Sequence, residues 1–147
     1  MIRPHDLMTL ADRLAASHIE SEWRAAISRA YYSAYHAARL LIAEDSGVLL
    51  AKTADTHQNI YRCLMNGQDA SLRAAGSRLE SLRGDRNRAD YDLDDSTFSH
   101  PANVLIQVEN AKDVIKQLAL AKPNLAVFRP SIREYASKVL KLGLKST

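Results

Sequence analysis

Three residues on one stretch of the chain, Arg29, Tyr32 and His36, set a guanidinium, a phenol and an imidazole at helical spacing. Their separations put them on one side of a helix, with Tyr32 and His36 one turn apart. Such a set can bind an anion and exchange protons near neutral pH. The same residues also suit a hydrogen-bonded polar layer between helices, where a tyrosine hydroxyl meets a backbone or carboxylate partner. The spacing allows both readings.

A second cluster reads Arg83-Gly84-Asp85-Arg86-Asn87-Arg88-Ala89-Asp90-Tyr91. The apolar stripe Leu72, Ala75, Leu79, Leu82 leads by helical steps to Arg86, then to Ala89 or Asp90. An arginine therefore occupies a slot that periodicity assigns to the interior. Burying that charge unpaired is costly, so Arg86 needs a partner, a cavity or another chain. Asp90, one turn on, is the obvious partner for an internal pair. The functional reading makes Arg86 the floor of an anion site with Tyr91 beside it, because planar bidentate donors recur wherever phosphate is held. Arg83 and Arg88 add positive charge to the same stretch.

Other chemistries find no matching pattern. His5, His18, His57 and His100 show neither HExxH nor clustered spacing, and Cys63 is the only cysteine. No metal site, cofactor or intramolecular disulfide is expected. There is no glycine-rich phosphate loop and no GxSxG.

Helices must position these groups. The segment ESEWRAAISRAYYSAYHAARLLIAEDSG is the strongest of them, with Trp23, Ile27, Ala30, Ala34, Ala37 and Leu41 on one stripe and Gly47 closing it. Before it, Pro4 can open a helix bearing Leu7, Leu10, Ala11 and Leu14. After it, Asp55 or Thr56 can cap a short helix carrying Ile60 and Leu64. The arginine cluster ends a helix expected from about Asp69 to about Ala89, followed by an acidic turn, YDLDDSTFS. Ser99 reads as an N-cap with Pro101 just inside a helix bearing Val104, Leu105, Val108, Ala111, Ile115 and Leu118, which Pro123 ends. Pro130 or Ser131 then opens a basic helix to about residue 143, containing Ile132, Tyr135, Val139 and Leu142.

The expected fold is an all-α, up-and-down helical bundle of five to six helices. One domain is expected over residues 1–147, with its core at about 20–120. The opening MIRPHDLMTLADRL has charges in every apolar stretch, so no signal peptide is expected, and no run approaches a membrane span. A cytoplasmic setting follows as the default, and a lone cysteine suits a reducing one. The net charge is +3, yet residues 122–147 hold six basic side chains against Glu134 alone. That tail can follow a phosphate backbone or be the solvated face of a last helix.

The segment SRAYYSAYHAARLLI, Ser28 to Ile42, followed by RNRADYDL, Arg86 to Leu93, resembles the HEPN superfamily. These helical domains were first noted for nucleotide binding, and the likeness is strongest to small stand-alone prokaryotic members. It spans about Glu20 to Leu118. The resemblance implies a bundle that forms a homodimer through its motif-bearing helices. Many relatives are metal-independent endoribonucleases, often toxins neutralised by a small nucleotidyltransferase. The resemblance gives Arg86 the role of the motif arginine, stabilising charge on the phosphorane, and Asn87 that of the polar residue after it. The motif histidine belongs at positions 91–93, which hold Tyr91, Asp92 and Leu93. Loss of a general acid–base group commonly costs about 10²–10⁴ in rate. His36 is the candidate to stand in for it, and Tyr91 the candidate for modification by the partner.

The expected function is a toxin or effector acting on RNA at a homodimer cleft. Arg86, Asp90 and Tyr91 would form its centre, and Arg29, Tyr32, His36, Arg83 and Arg88 would contact nucleotide or RNA. The alternative is a non-catalytic module that binds nucleotide, RNA or a nucleotidyltransferase. A third reading is a purely structural helical dimer with an internal Arg86–Asp90 pair.

Overall fold

The computed structural model describes residues 1–146, and among them the secondary structure is helical. The helices are α1 (Pro4–Ala15), α2 (Glu20–Leu40), α3 (Asp55–Met65), α4 (Ala70–Tyr91), α5 (Pro101–Ala121) and α6 (Leu125–Lys138). A single π-helical turn, Leu41–Asp45, continues α2, and short 3₁₀ turns precede α5 and α6. The chain is an all-α helical bundle with no strand among the described residues, only an isolated Val48–Leu144 bridge. None of these helices is long and apolar enough to cross a membrane.

Close backbone packing divides the chain into two compact units, and α2, α4 and α5 each contribute to both. Unit 1 comprises Met1–His36 and Arg78–Asp113. Pro4 sits at the start of α1, where its missing N–H costs nothing, and the Asp6 carboxylate accepts from the Arg3 amide at 2.7 Å. The indole of Trp23 donates to the Ser17 carbonyl at 2.7 Å and fixes the entry into α2. Within this unit α2 is buried on more than the expected alanine stripe. Ile27, Ala30 and Ala34 are buried, as are Arg24, Ala26, Tyr31, Ser33 and Tyr35. From α4 and α5 come Leu79, Leu82, Ala89, Val104, Val108 and Ala111, and Phe98 joins them from the intervening turn.

Unit 2 comprises Ala37–Ser77 and Val114–Thr147, of which the last residue is not described. Its core is Leu41, Ile42, Val48, Ile60, Leu64, Leu72, Leu118, Phe128 and Ile132. Residues beyond α6 fold back, so that Leu49 donates to the Gly143 carbonyl and Lys145 to that of Gly47, both at 2.8 Å. Gly47 has φ +72°, and the Arg133 guanidinium fills the place a Cβ would take.

Several boundaries differ from expectation. The last helix starts at Leu125 and contains Pro130, so neither Pro130 nor Ser131 opens it. The earlier start aligns Phe128, Ile132 and Ala136 on one buried face, and that burial offsets the hydrogen bond the proline lacks. Its end at Lys138 leaves Val139 and Leu142 outside the helix. Neither Asp55 nor Thr56 caps α3; Ala54 stands there, and the Thr56 hydroxyl donates to the Ala51 carbonyl at 2.6 Å. Ser99 ends a 3₁₀ turn instead of capping α5, and Asp95 caps that turn by accepting from the Thr97 amide. Tyr91 belongs to α4, one residue before the acidic turn begins.

Candidate functional site

The two sequence clusters meet in unit 1. On α2, Arg29 lies with its guanidinium carbon 5.4 Å from the ring centroid of Tyr32. The Arg86 guanidinium carbon, on α4, lies 5.3 Å from the same centroid and 5.5 Å from that of Tyr31. His36 continues the row, with its ring 6.2 Å from Tyr32 and 5.1 Å from Tyr35. Tyr31 and Tyr35 complete an aromatic cluster, Tyr31 meeting Tyr32 edge-on at 5.2 Å. The helical steps among residues 29, 32 and 36 produce this row, while 31 and 35 turn one residue further inward. His36 is exposed, Arg29 and Tyr32 are half-buried, and Tyr31 and Tyr35 are buried.

Of the three fates open to Arg86, the structure gives it a partner. The residue is only 9% exposed, and its Nη1 lies 3.4 Å from the Asp90 carboxylate. That contact is longer than the roughly 2.7–2.9 Å of a good charge-assisted bond. The Nε of Arg86 is buried without a hydrogen-bond partner. Two tyrosine rings lie against it instead, and a guanidinium over such a ring gains about 0.5–2 kcal/mol per contact, more as water is excluded. Burial raises the phenol pKa of Tyr31 and outweighs the opposing pull of Arg83 and Arg86, so this hydroxyl stays protonated at neutral pH.

Other expected members are placed differently. Tyr91 is 74% exposed and does not share the face of Arg86, because five residues along a helix rotate a side chain about 140°. Arg88 is engaged with its own neighbourhood. It donates to Asp85 at 3.3 Å, to Asp95 at 2.9 Å and to Thr97 at 3.1 Å, and packs over Phe98. Asp92 and Leu93, with Tyr91, are exposed where the resemblance calls for a histidine.

Arg24 was not singled out by the sequence reading, yet it organises the end of α4. Only 7% exposed, it donates to the carbonyls of Ala89 at 3.0 Å, Asp92 at 3.1 Å and Asp95 at 2.6 Å. A cation at a helix C-terminus satisfies carbonyls that lack intrahelical partners. Its signal was available, since Arg24 shares the interior phase of Ile27 and Tyr31.

The remaining groups offer less. Burial pushes the Cys63 thiol up to about 12, which keeps it protonated and unreactive. Among the described residues no group of three His, Cys, Asp or Glu side chains is arranged to hold a metal ion. Unit 2 carries a shallow cleft of about 280 Å³ lined by Asn66, Gln68, Ser131, Glu134, Tyr135, Lys138 and Val139. Comparison with protein-family models, with curated proteins and with solved structures yields no match to the chain.

Proposed function

We propose that the chain is a HEPN-like helical module that binds the phosphate groups of RNA or nucleotides at the α2 face of Arg29, Tyr32 and His36, backed by Arg86. One observation carries this reading: two guanidiniums lie against a single half-buried phenol ring, with an exposed imidazole one turn away. Each guanidinium favours an anion beside it, and the exposed imidazole offers a base a stacking surface. The resemblance of the two motifs to HEPN proteins supports the same class of ligand. It also adds a second copy of the chain and a nucleotidyltransferase as partners. Binding without turnover is preferred, because positions 91–93 supply no histidine.

The test is fluorescence anisotropy with a short labelled oligoadenylate RNA. The wild type should bind at low salt, and Arg29→Gln should weaken binding roughly tenfold, the size of one lost phosphate contact. No binding by the wild type, or equal affinity in the variant, would remove the reading.

A second reading, metal-independent RNA cleavage in a toxin–antitoxin pair, draws on the position of His36. Its exposed ring contacts Tyr32, against which Arg86 also lies, so a proton carrier and a cation flank one phenol. Cleavage of total RNA in EDTA that disappears with His36→Ala would favour it over binding alone. Intact RNA after incubation with the wild type would discard it.

A further inference from the structure

We propose that Asp90 is a tethered counter-ion, occupying from within the chain the place beside Arg86 that a ligand phosphate takes when it binds. This rests on the phosphate-binding reading above and adds to it a residue that sets the affinity. The Arg86 side chain is 10% exposed and that of Asp90 28%, so the carboxylate is the more open of the pair. Their contact is 3.4 Å, and the Nε of Arg86 is buried with no hydrogen-bond partner. The pair is thus incompletely made, and the guanidinium keeps donor capacity that one long contact does not use.

Both members sit on α4, four residues apart. Asp90 can therefore rotate about its own side-chain bonds into solvent while the helix stays intact. An entering phosphate brings an anionic oxygen to the guanidinium, and the released carboxylate regains its hydration. Binding is an exchange of one anion for another, so the affinity observed is the difference between the two. Tyr31 and Tyr32 hold the guanidinium in place through both states, since their rings lie against it.

The chemistry is the same for a free phosphate and for a phosphate in an RNA backbone, so two probes are used, inorganic phosphate and the labelled oligoadenylate. Asp90→Asn should bind at least one of them about tenfold more tightly than wild type, the effect of removing one competing charge pair. Asp92→Asn removes the same charge from an exposed neighbour and should change affinity less than about twofold, as screened surface charges do. Without ligand Asp90→Asn should melt below wild type, and the tighter-binding probe should raise its melting temperature more than it raises that of the wild type. The double variant Arg86→Met, Asp90→Asn should lose the gain.

If the wild type binds either probe and Asp90→Asn binds no better, or if Asp92→Asn tightens binding equally, the tethered counter-ion is overturned while phosphate binding stands. If neither wild type nor Asp90→Asn binds either probe, both readings fall. Should Asp90→Asn prove too unstable to titrate, Asp90→Glu keeps the charge on a longer arm that reaches Arg86 more closely. It should weaken binding, and unchanged or tighter binding would overturn the proposal.

Discussion

The guanidinium of Arg24 donates a 2.6 Å hydrogen bond to the carbonyl of Asp95, across 71 positions of sequence. Through this bond and those to Ala89 and Asp92, a buried arginine of α2 fixes the turn that follows α4. The same guanidinium thereby holds Ala89, the residue before Asp90, by its carbonyl. Arg24→Met should leave several carbonyls unpaired and lower stability by about 2–4 kcal/mol. Urea denaturation would check this, and a loss below about 1 kcal/mol would mean that water replaces the arginine without difficulty.

Arg86 separates structure from function. Its pair with Asp90 is long, and Asp90 is open enough to be hydrated, so Arg86→Met should fill the slot between the rings at little cost. We expect a stability change within about 1 kcal/mol, because methionine refills the apolar space and the carboxylate left behind is open to water. RNA affinity should fall in the same variant. Full affinity together with full stability would place Arg86 outside the binding site.

Acid stability should depend on Asp95. The Thr97 hydroxyl, then the Thr97 amide and the Arg88 guanidinium, hold its carboxyl at about 2, below the ordinary value of 3.8. A depressed folded-state pKa adds stability above the unfolded pKa and loses it as pH falls through the folded one. The contribution is therefore complete above about pH 4 and lost by about pH 2. Melting temperature measured down that range should fall less steeply for Asp95→Asn than for wild type. Parallel curves would show that other carboxylates govern the acid limb.

Pro130 lies inside α6, where it cannot donate to the carbonyl of Ala126. An interior proline costs a helix about 3 kcal/mol relative to alanine, and its stiffening of the unfolded chain returns up to about 1 kcal/mol. Pro130→Ala should raise stability by about 2 kcal/mol. A neutral or destabilised variant would show that the packing of the proline ring offsets the missing hydrogen bond.

What the sequence disclosed followed from local periodicity. The phase of Leu72, Leu79 and Leu82 by itself places Arg86 inside, and residues 29, 32 and 36 share one face as their spacing requires. Features set by distant contacts were not legible. Nothing local marks the π-helical turn at Leu41–Asp45, and the pairing of residues 47–49 with 143–145 joins the chain across about a hundred residues. Pro130 reads locally as a helix start, but the burial of Phe128 favours a helix that begins earlier, at Leu125, and runs through it. Tyr91 does not sit beside Arg86, although it follows Asp90 in sequence, because the extra residue swings its ring to solvent.

The most direct measurement is the salt dependence of RNA affinity for wild type and Arg29→Gln between about 50 and 200 mM salt. Each phosphate contact on a single strand adds about 0.7 to the slope of log affinity against log salt. If Arg29 touches a phosphate, the variant's slope should be shallower by that amount and its affinity lower at every salt concentration. Identical slopes and affinities would contradict a phosphate site on this face of α2.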